Sequence, residues 1–459
     1  MAKNKKDNPN KIGVAKFWGW NARAVSLGCV TVIYGTYFML YCTNALGVNS
    51  AIVGTLLLAS KVFDGVTDLF AGYLVDNTHT RFGKARPYEF SMIGIWLFTW
   101  LLFSCPVSWS DTMKYIYIFI LYTMVNSVFV TLAGVNQSTY MVRAFPNQTV
   151  MVKLNSYGGI VVTVGCAIVS MTFPMLVSSI ATTASGWSTL LAIYCIPLAV
   201  LGMLRFVLVK EVVDVDGGSD NKVNLKSIIA VLKTNKYVYF ILGAYLCYNI
   251  ILGMSAVSYY FTYVVGDLNK YTTLAALSMP MMIVMFIFPK LMQKMRLSRM
   301  VMMGAAAGCI GYVMNYFAGA NMGILMVAGA LVCFGGLPIA YVGGMMLLDC
   351  GEYNTYNGLA ASLGTVTAFQ SFANKIGQGI GTWLLGVMLS VGGFISAGSD
   401  GVAVMEQPAS ALNMITICYS LIPAALYLAI VVILHFYDLE NKLKDLRAAK
   451  AAAAQQPAE

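Results

Sequence analysis

Apolar runs of about 20 residues recur along the whole chain, and this pattern excludes most kinds of fold. Hydrophobic residues make up 59% of the 459 positions and charged residues only 10%, whereas a soluble domain carries about 25% charged residues. A helix needs about 20 apolar residues to cross the hydrocarbon core of a bilayer. The sequence therefore predicts an all-α integral membrane protein with about 12 transmembrane helices.

The positions of the apolar runs predict where the spans begin and end. The eleventh run is longer than a bilayer requires, so we expect its helix to break near Gly386–Gly393. The twelve predicted spans are 24–46, 52–75, 89–107, 115–142, 154–180, 187–209, 237–264, 271–293, 299–319, 322–348, 358–393 and 411–437.

A polar segment, 210–236, interrupts the spans and divides them into six and six. The division predicts an N-terminal bundle at 24–209 and a C-terminal bundle at 237–437. We expect cytoplasmic tails at 1–23 and 438–459, the second of them partly helical and partly disordered. Two six-helix halves around a central cavity are a common plan among membrane transporters.

Basic residues are distributed unevenly between the two sides of these spans. With the N-terminus inside, 25 of the 29 lysines and arginines fall in inside segments or at helix ends; Lys114 and Lys270 fall outside, and Lys61 and Lys375 lie within helices. Positive residues concentrate on the cytoplasmic side, so we predict two cytoplasmic termini, in a bacterial inner membrane. This topology accounts for the net charge of +10, with anionic membrane lipids as the expected contact. No basic soluble domain indicates nucleic acid as a partner.

Other classes of site are poorly supported. The ten cysteines form no CxxC pair, so neither a disulfide framework nor a zinc site is indicated. His79 and His435 lie far apart in the sequence. No hydrolase, zinc-protease or phosphate-binding motif has a plausible context, so we do not expect an enzyme. We expect no cofactor, and no metal other than a coupling cation.

Three charged residues interrupt the second predicted span. Asp64 and Asp68 share a helix face because they are four residues apart, and Lys61 lies on the same face. A charge at mid-membrane costs about 2.5–3.5 kcal/mol, and such residues usually face a cavity. Two close carboxylates repel each other, so the pair either holds a proton or recruits a cation. With the hydroxyl of Thr67 beside them, the residues predict a site for Na⁺, Li⁺ or H⁺.

The alternative is a Lys61–Asp64 ion pair that only locks helices together. It leaves Asp68 unexplained, since one lysine cannot neutralise two carboxylates. We therefore favour the cation site.

Charged residues after the second span allow two interpretations. They are the basic residues that cytoplasmic loops ordinarily carry, or they form a latch that pairs with helix ends of the other half in one conformation. Asp349 and Glu352, at the inner end of the tenth span, are gate or helix-end residues by the same argument. The predicted gate comprises Asp76, Arg81, Lys84, Arg86, Asp349 and Glu352.

Polar side chains in three other spans are candidates to bind a solute. Neutral amides both donate and accept hydrogen bonds, which suits a polyol. For each single amide, a hydrogen bond between helices is the competing interpretation. The amide candidates are Asn126, Asn136, Gln137, Asn249, Gln370 and Asn374, and Lys375, with no acidic residue on its own helix, joins them.

The segment 64–87 resembles a known family. Its pattern, D-x-x-x-D-x-x-x-G-x-x-x-D-x-T-x-T-R-x-G-K-x-R-P, is similar to that of the glycoside–pentoside–hexuronide:cation symporters, a branch of the major facilitator superfamily. The stretches 41–64, 246–267, 348–353 and 370–375 agree with it. The resemblance implies two pseudosymmetric six-helix bundles, alternating access and a binding site at mid-membrane.

The resemblance also assigns roles by position. Asp64 and Asp68 match the family's two cation carboxylates, and Lys61 matches the basic residue before them. Lys375 matches a lysine that links the cation and sugar sites. The polar ligand, the hydroxyl ligand of the fourth helix and the asparagine of the seventh helix match Thr67, Ser127 and Asn249.

The sugar-binding positions depart from the family pattern. Sugar-transporting relatives have an aspartate in the first and fourth helices, whereas 24–46 and 115–142 contain no acidic residue. Gly158 stands where an arginine is expected, and the tryptophan of the tenth helix is missing. Either this branch binds its solute through amides and hydroxyls, or the solute is not a typical galactoside.

Residues and resemblance together predict a monomeric, cation-coupled secondary symporter that uses Na⁺ or H⁺ to carry a sugar or glycoside. One alternative is a symporter of another organic solute, such as a lysolipid-like amphiphile. Another is an uncoupled facilitator. An enzyme would change its substrate chemically, whereas a transporter would not.

Overall fold

The protein is described here by a computed structural model covering residues 12–76, 78, 80, 82–145, 147–212, 234–276, 288–292, 294–357, 363–398 and 401–454. Over these residues the chain forms helices and one isolated β-bridge, between Thr80 and Gly83.

Among the described residues, the first half of the chain contains seven α-helices with two shorter helical segments. A 3₁₀ turn at Arg86–Phe90 precedes α3, and a π-helical segment at Met124–Val130 joins α4 to α5 without a loop. The α-helices are α1 (Val14–Asn44), α2 (Ser50–Asp76), α3 (Ser91–Leu102), α4 (Asp111–Thr123), α5 (Thr131–Ala144), α6 (Gln148–Ile180) and α7 (Ala184–Leu208).

The second half is again helical. A further π-helical segment, Tyr260–Val264, follows α9. The remaining helices are α8 (Tyr237–Gly253), α9 (Val257–Tyr259), α10 (Lys270–Ala276), α11 (Phe288–Met292), α12 (Leu297–Ala318), α13 (Met322–Tyr356), α14 (Leu363–Val391), α15 (Ala409–Tyr419), α16 (Leu421–His435) and α17 (Leu439–Ala454).

Eight helical stretches among the described residues are long and apolar enough to cross a membrane. The other four predicted spans correspond to charged α2, to short α3, and to 271–293 and 358–393, which lie partly outside the described residues. The predicted break in the eleventh span coincides with the end of α14 at Val391, where Gly393 has a φ of 77°.

The first helix begins earlier than the first predicted span. We expected a tail over 1–23, but α1 begins at Val14 and Arg23 is only 3% exposed. Polar side chains at the start of α1 bond to the helix itself and to its neighbours. Asn21 Nδ2, for example, donates to the carbonyl oxygen of Phe17 at 2.9 Å. Basic residues before an apolar run therefore do not mark the end of a tail here.

The helices pack into two compact units. As far as the chain is described, the first comprises Met1–Gly218, Val257–Ala276 and Trp383–Leu412, and the second comprises Ser219–Ala256, Leu277–Thr382 and Asn413–Glu459. This division differs from the predicted bundles at two segments.

Polar contacts with α1 and α2 explain why those two segments belong to the first unit. Thr43 Oγ1 lies 2.8 Å from the Tyr259 hydroxyl, and Ser258 Oγ donates to Thr36 O at 2.6 Å. Ser50 Oγ donates to Gly386 O at 2.9 Å.

Glycines allow α8 and α14 to cross closely in the second unit. A Cβ atom at Gly381 would lie 2.2 Å from the carbonyl oxygen of Ile250, and one at Gly253 would lie 2.2 Å from that of Gln378. Small residues at such crossings let helix backbones approach each other in membranes. The crossing brings the polar residues of the two helices together.

We expect Gly381→Ala to destabilise the protein by about 1–3 kcal/mol, because the added methyl group overpacks the crossing. Gly344→Ala is the matched control, since a Cβ at Gly344 meets nothing within 4 Å. The thermal unfolding temperature of the purified variants is the measurement. Equal unfolding temperatures for the two variants would show that the close crossing is not needed for stability.

Candidate cation and solute site

The carboxylate of Asp64 lies at the packing interface between α2 and α5. Asp64 is 3% exposed and Thr131 is 5% exposed. The Thr131 hydroxyl donates a hydrogen bond to Asp64 Oδ1 at 2.7 Å. Thr131 is the first residue of α5, directly after the π-helical segment. The interaction therefore joins a mid-helix acid to the end of an irregular helical turn.

The π-helical segment shapes the wall facing α2. π turns insert an extra residue into a helix and occur frequently at functional sites. Ser127 Oγ donates to the carbonyl oxygen of Ser60 at 3.3 Å, and Thr123 Oγ1 donates to Ser60 Oγ at 3.0 Å. The hydroxyl groups on this wall therefore bond to α2 within one turn of Asp64.

Lys61 points at the same wall. Its Nζ donates to Asn126 Oδ1 at 3.3 Å and lies 6.0 Å from the centroid of the Tyr122 ring. Asn126 in turn donates from Nδ2 to the carbonyl oxygen of Tyr122 at 3.1 Å. In this structure Asn126, which we predicted to bind solute, is thus a partner of Lys61.

The structure brings together four of the predicted cation-site residues: Lys61, Asp64, Thr67 and Ser127. Thr67 Oγ1 donates to the backbone oxygen of Asp64 at 3.0 Å. The hydroxyls of Thr67 and Ser127 donate to backbone in this state and retain lone pairs that can ligate a cation. The side chain of Asp68 lies outside the described residues.

Thr131 is the partner that the sequence did not identify. It stands among the polar residues of the fourth predicted span, but its pairing with Asp64 depends on the π turn before it. No pattern in the sequence reveals where such a turn occurs.

A second buried charge cluster lies in the same unit. Glu89 Oε2 lies 3.7 Å from Arg23 Nε, and Glu89 Oε1 lies 3.6 Å from Arg205 Nε. All three residues are at most 3% exposed. From sequence we counted these residues as tail, loop or helix-end charges. The available signal was the position of Glu89 at the first residue of a predicted apolar span.

The amides of Asn136 and Gln137 belong to this second cluster. Gln137 Oε1 accepts from Arg23 at 3.1 Å and from Arg205 at 2.5 Å. Asn136 Nδ2 donates to Glu89 Oε1 at 3.0 Å, and Asn136 is fully buried. We predicted both amides as solute ligands, whereas in this structure they hold charged side chains.

Two of the predicted gate residues, Lys84 and Arg86, are anchored within the first unit. Glu211 accepts hydrogen bonds from the backbone N–H groups of Lys84, Ala85 and Arg86 at 2.8–3.2 Å. Its carboxylate also lies 3.5 Å from Arg143. The side chain of Asp76 and the whole of Arg81 lie outside the described residues.

Gly83 makes this anchor sterically feasible. Its φ is 112°, a conformation that favours glycine. A Cβ atom there would lie 2.4 Å from Glu211 Oε1. The segment 82–86 is therefore a loop folded around one carboxylate.

In the second unit, the amides of α8 and α14 form a polar cluster. Asn249 Nδ2 donates to Asn374 Oδ1 at 2.7 Å, and Gln378 Nε2 donates to Asn249 Oδ1 at 3.3 Å. Gln370 hydrogen-bonds with Tyr245. Three of the predicted solute residues thus lie along one helix crossing, and half-buried Lys375 follows Asn374 on α14.

Asp349 and Glu352 pair with the C-terminal helix. Arg447 on α17 donates from Nε to Glu352 Oε1 at 2.9 Å and from Nη2 to Asp349 Oδ1 at 3.1 Å. In this state the two acidic residues dock α17 against the end of α13.

The glycine at position 158, where the family pattern has an arginine, packs against α1. A Cβ atom there would lie 2.2 Å from Asn21 Oδ1. The departure noted in the sequence therefore reflects the packing of α6 against α1.

We expect Glu211→Ala to expose the 82–86 loop, because three backbone N–H groups lose their shared acceptor. Limited trypsin digestion should then cut faster after Lys84, with Glu406→Ala, at an exposed position, as the control. An unchanged cleavage rate relative to that control would show that the loop is held by other contacts.

Comparison of the whole sequence with known proteins identifies a family. The sequence profile described as MFS/sugar transport protein matches residues 22–441. The isoprimeverose transporter of Lactiplantibacillus pentosus is 27% identical over 422 residues, covering 89% of this chain and 85% of that protein. The glucuronide carrier protein homolog of Escherichia coli (strain K12) is 26% identical and covers 89% of each chain.

Solved structures are similar in fold. The D-xylose-proton symporter aligns with a TM-score of 0.62 over 91% of this chain and 96% of its own, at 13% identity. The nucleoside transporter NupG aligns with a TM-score of 0.60 over 92% and 97%, also at 13% identity. Both likenesses concern the fold alone. From the profile match, the chain is a multi-pass membrane transporter of the MFS/sugar transport protein family, in its glycoside–pentoside–hexuronide:cation symporter branch.

Proposed function

We propose that the protein is a symporter that couples the entry of Na⁺ or H⁺ to the uptake of a sugar or glycoside. The observation that carries the proposal is the buried carboxylate of Asp64, bonded to a hydroxyl at the end of a π-helical segment. We further propose that the protein acts as a monomer in a bacterial inner membrane. Both termini would face the cytoplasm, where the basic segments contact anionic lipids.

Asp64 is suited to bind a small hard cation. A carboxylate removed from water must be neutralised by a proton, a cation or a counter-charge. Hydroxyl oxygens of Thr131, Thr67 and Ser127 lie on the same two helical walls and supply neutral ligands. The Thr131 hydroxyl can turn from donating to Asp64 to ligating the cation, because a hydroxyl has one donor and two acceptor sites. We assign Asp68 to the same site from its position four residues later on α2.

Lys61 tunes the charge of this site. Its ammonium group is held by Asn126 on the wall that also carries Ser127. A lysine there offsets part of the carboxylate charge while the cation is absent. Cation entry then competes with a positive charge, which keeps binding weak enough to be reversible.

We assign the amides of α8 and α14 to the solute-binding site. Asn249, Asn374 and Gln370 both donate and accept, as hydroxyl-rich ligands require. The names of the relatives support a sugar, since one is an isoprimeverose transporter and another a glucuronide carrier homolog. Coupling follows if cation and solute each stabilise the state that reorients, because such coupling is reciprocal.

We expect Asp64→Asn to abolish cation-driven uphill uptake while leaving solute exchange at equal concentrations largely intact. The neutral amide cannot balance the charge of a cation, but the amide cluster of the second unit is unaltered. Uptake and exchange are measured in proteoliposomes with an imposed Na⁺ gradient and, separately, a pH gradient. Asp111→Asn is the control, because the Asp111 side chain is 69% exposed. Cation stimulation at the wild-type level in Asp64→Asn, at normal folded yield, would contradict the assignment.

We expect Lys375→Val to lose concentrative uptake as well. We propose that its ammonium group contributes to charge balance in the state from which the cation has left. Lys270→Val, at an exposed position, serves as the control in the same uptake assay. Normal accumulation of solute by Lys375→Val would assign Lys375 a merely structural role.

A further inference from the structure

The buried cluster around Glu89 carries an unbalanced charge. Two guanidinium groups, on Arg23 in α1 and Arg205 in α7, share one carboxylate, and all three side chains are shielded from solvent. Arginine stays protonated in proteins, so the cluster has a net positive charge. Buried charges are tolerated only where hydrogen bonds and counter-charges satisfy them. The remaining acceptors must therefore come from neighbouring helices.

Those acceptors come from α5. Arg23 Nη2 donates to the carbonyl oxygen of Ala133, and both arginines donate to Gln137 Oε1. The ring of Tyr140 lies 4.4 Å from the Arg205 guanidinium carbon, and Trp20 covers it at 3.6 Å. Positions 133, 136, 137 and 140 follow the spacing of one helix face. One face of α5 is thus held by two arginines and a glutamate.

The helix held in this way is the one that begins at Thr131. At 1.5 Å per residue, Gln137 lies about 9 Å along α5 from Thr131. The π-helical segment at Met124–Val130 separates α5 from α4, so the regular bonding that fixes the rotation of one α-helical turn on the next is interrupted there. Side-chain contacts on α5 therefore contribute to its rotation about its own axis.

The cluster is sensitive to the position of α5. Within the described part of the chain, Arg205 Nε and Nη2 and Arg23 Nε are buried without a hydrogen-bond partner. The two guanidinium groups therefore depend on a few acceptors for their hydrogen bonds. A buried donor that loses its acceptor is costly, so removing Gln137 favours a shift of α5 or of the arginines.

We propose that Arg23, Glu89, Arg205 and Gln137 are positioning residues for the cation site. They fix the rotation of α5 so that the Thr131 hydroxyl reaches Asp64. The inference rests on the proposed cation-coupled function for its consequence, a weaker cation affinity when the cluster is broken. Its structural part, control of α5 by the cluster, is independent of that function.

Ser26 provides a matched control for a general packing role. It is fully buried in the same unit; its hydroxyl donates to Leu198 O at 2.7 Å and accepts from Trp96 Nε1 at 2.8 Å. Its two hydrogen bonds therefore tie α1 to α7 and to α3. Ser26→Ala should loosen the unit without turning α5.

The test compares Gln137→Met, Gln137→Glu and Ser26→Ala in proteoliposomes and in detergent. We expect Gln137→Met to raise the cation concentration for half-maximal uptake about tenfold, which corresponds to about 1.4 kcal/mol. Solute exchange at saturating cation should change less than threefold. Gln137→Glu keeps a side-chain acceptor for both arginines, so its cation dependence should stay near the wild-type value. Ser26→Ala should lower the unfolding temperature and leave cation dependence unchanged.

Amide hydrogen exchange over residues 131–140 supplies a readout that needs no transport. It should quicken in Gln137→Met and not in Ser26→Ala. If Gln137→Met does not fold, the milder Gln137→Asn is used, with a smaller change in the same direction. Wild-type cation dependence and exchange in a folded Gln137 variant, or equal effects in Ser26→Ala, would overturn the proposal. If uptake by the unaltered protein depended on neither the Na⁺ gradient nor the pH gradient, the proposed function would be refuted. The hydrogen-exchange comparison would still decide the structural part.

Discussion

The proposed cation site depends on one interaction, the hydrogen bond between the buried carboxylate of Asp64 and the Thr131 hydroxyl. A carboxylate in this setting is costly unless its charge is compensated. The helices around it supply hydroxyl oxygens, a lysine and a π turn rather than a tight apolar fit. Such an arrangement gives the acid a reason to bind and release a cation as its surroundings change.

The second buried acid of the unit shows the opposite solution. Glu89 is enclosed by Arg23 and Arg205, whose charges are permanent. The negative charge of such a carboxylate is permanently neutralised, and its role is structural. The two acids thus divide the work: Glu89 holds α5, and α5 carries the hydroxyl that meets Asp64. This division gives a structural role to the buried charges of Arg23, Glu89 and Arg205.

Part of this arrangement could be predicted from the sequence. Lys61, Asp64 and Asp68 stand out because charges are rare inside apolar runs, and the family motif begins at Asp64. Thr131 could not be paired with Asp64, since the π-helical segment changes which residues of α5 face α2. Glu89 and Arg23 escaped notice because charges at the ends of apolar runs look like ordinary interfacial residues. Asn136 and Gln137 are predicted from the sequence as solute ligands, but an amide's identity does not say whether it meets a solute or a charged side chain.

Direct titration of the purified protein with Na⁺, followed by calorimetry and by proton release in weakly buffered solution, tests the central claim most closely. If Asp64 holds the cation, the unaltered protein should bind Na⁺ saturably or release an Asp64-bound proton as Na⁺ is added, and that signal should be lost when Asp64 is replaced by asparagine. A binding curve that is the same with and without the Asp64 carboxylate would contradict it.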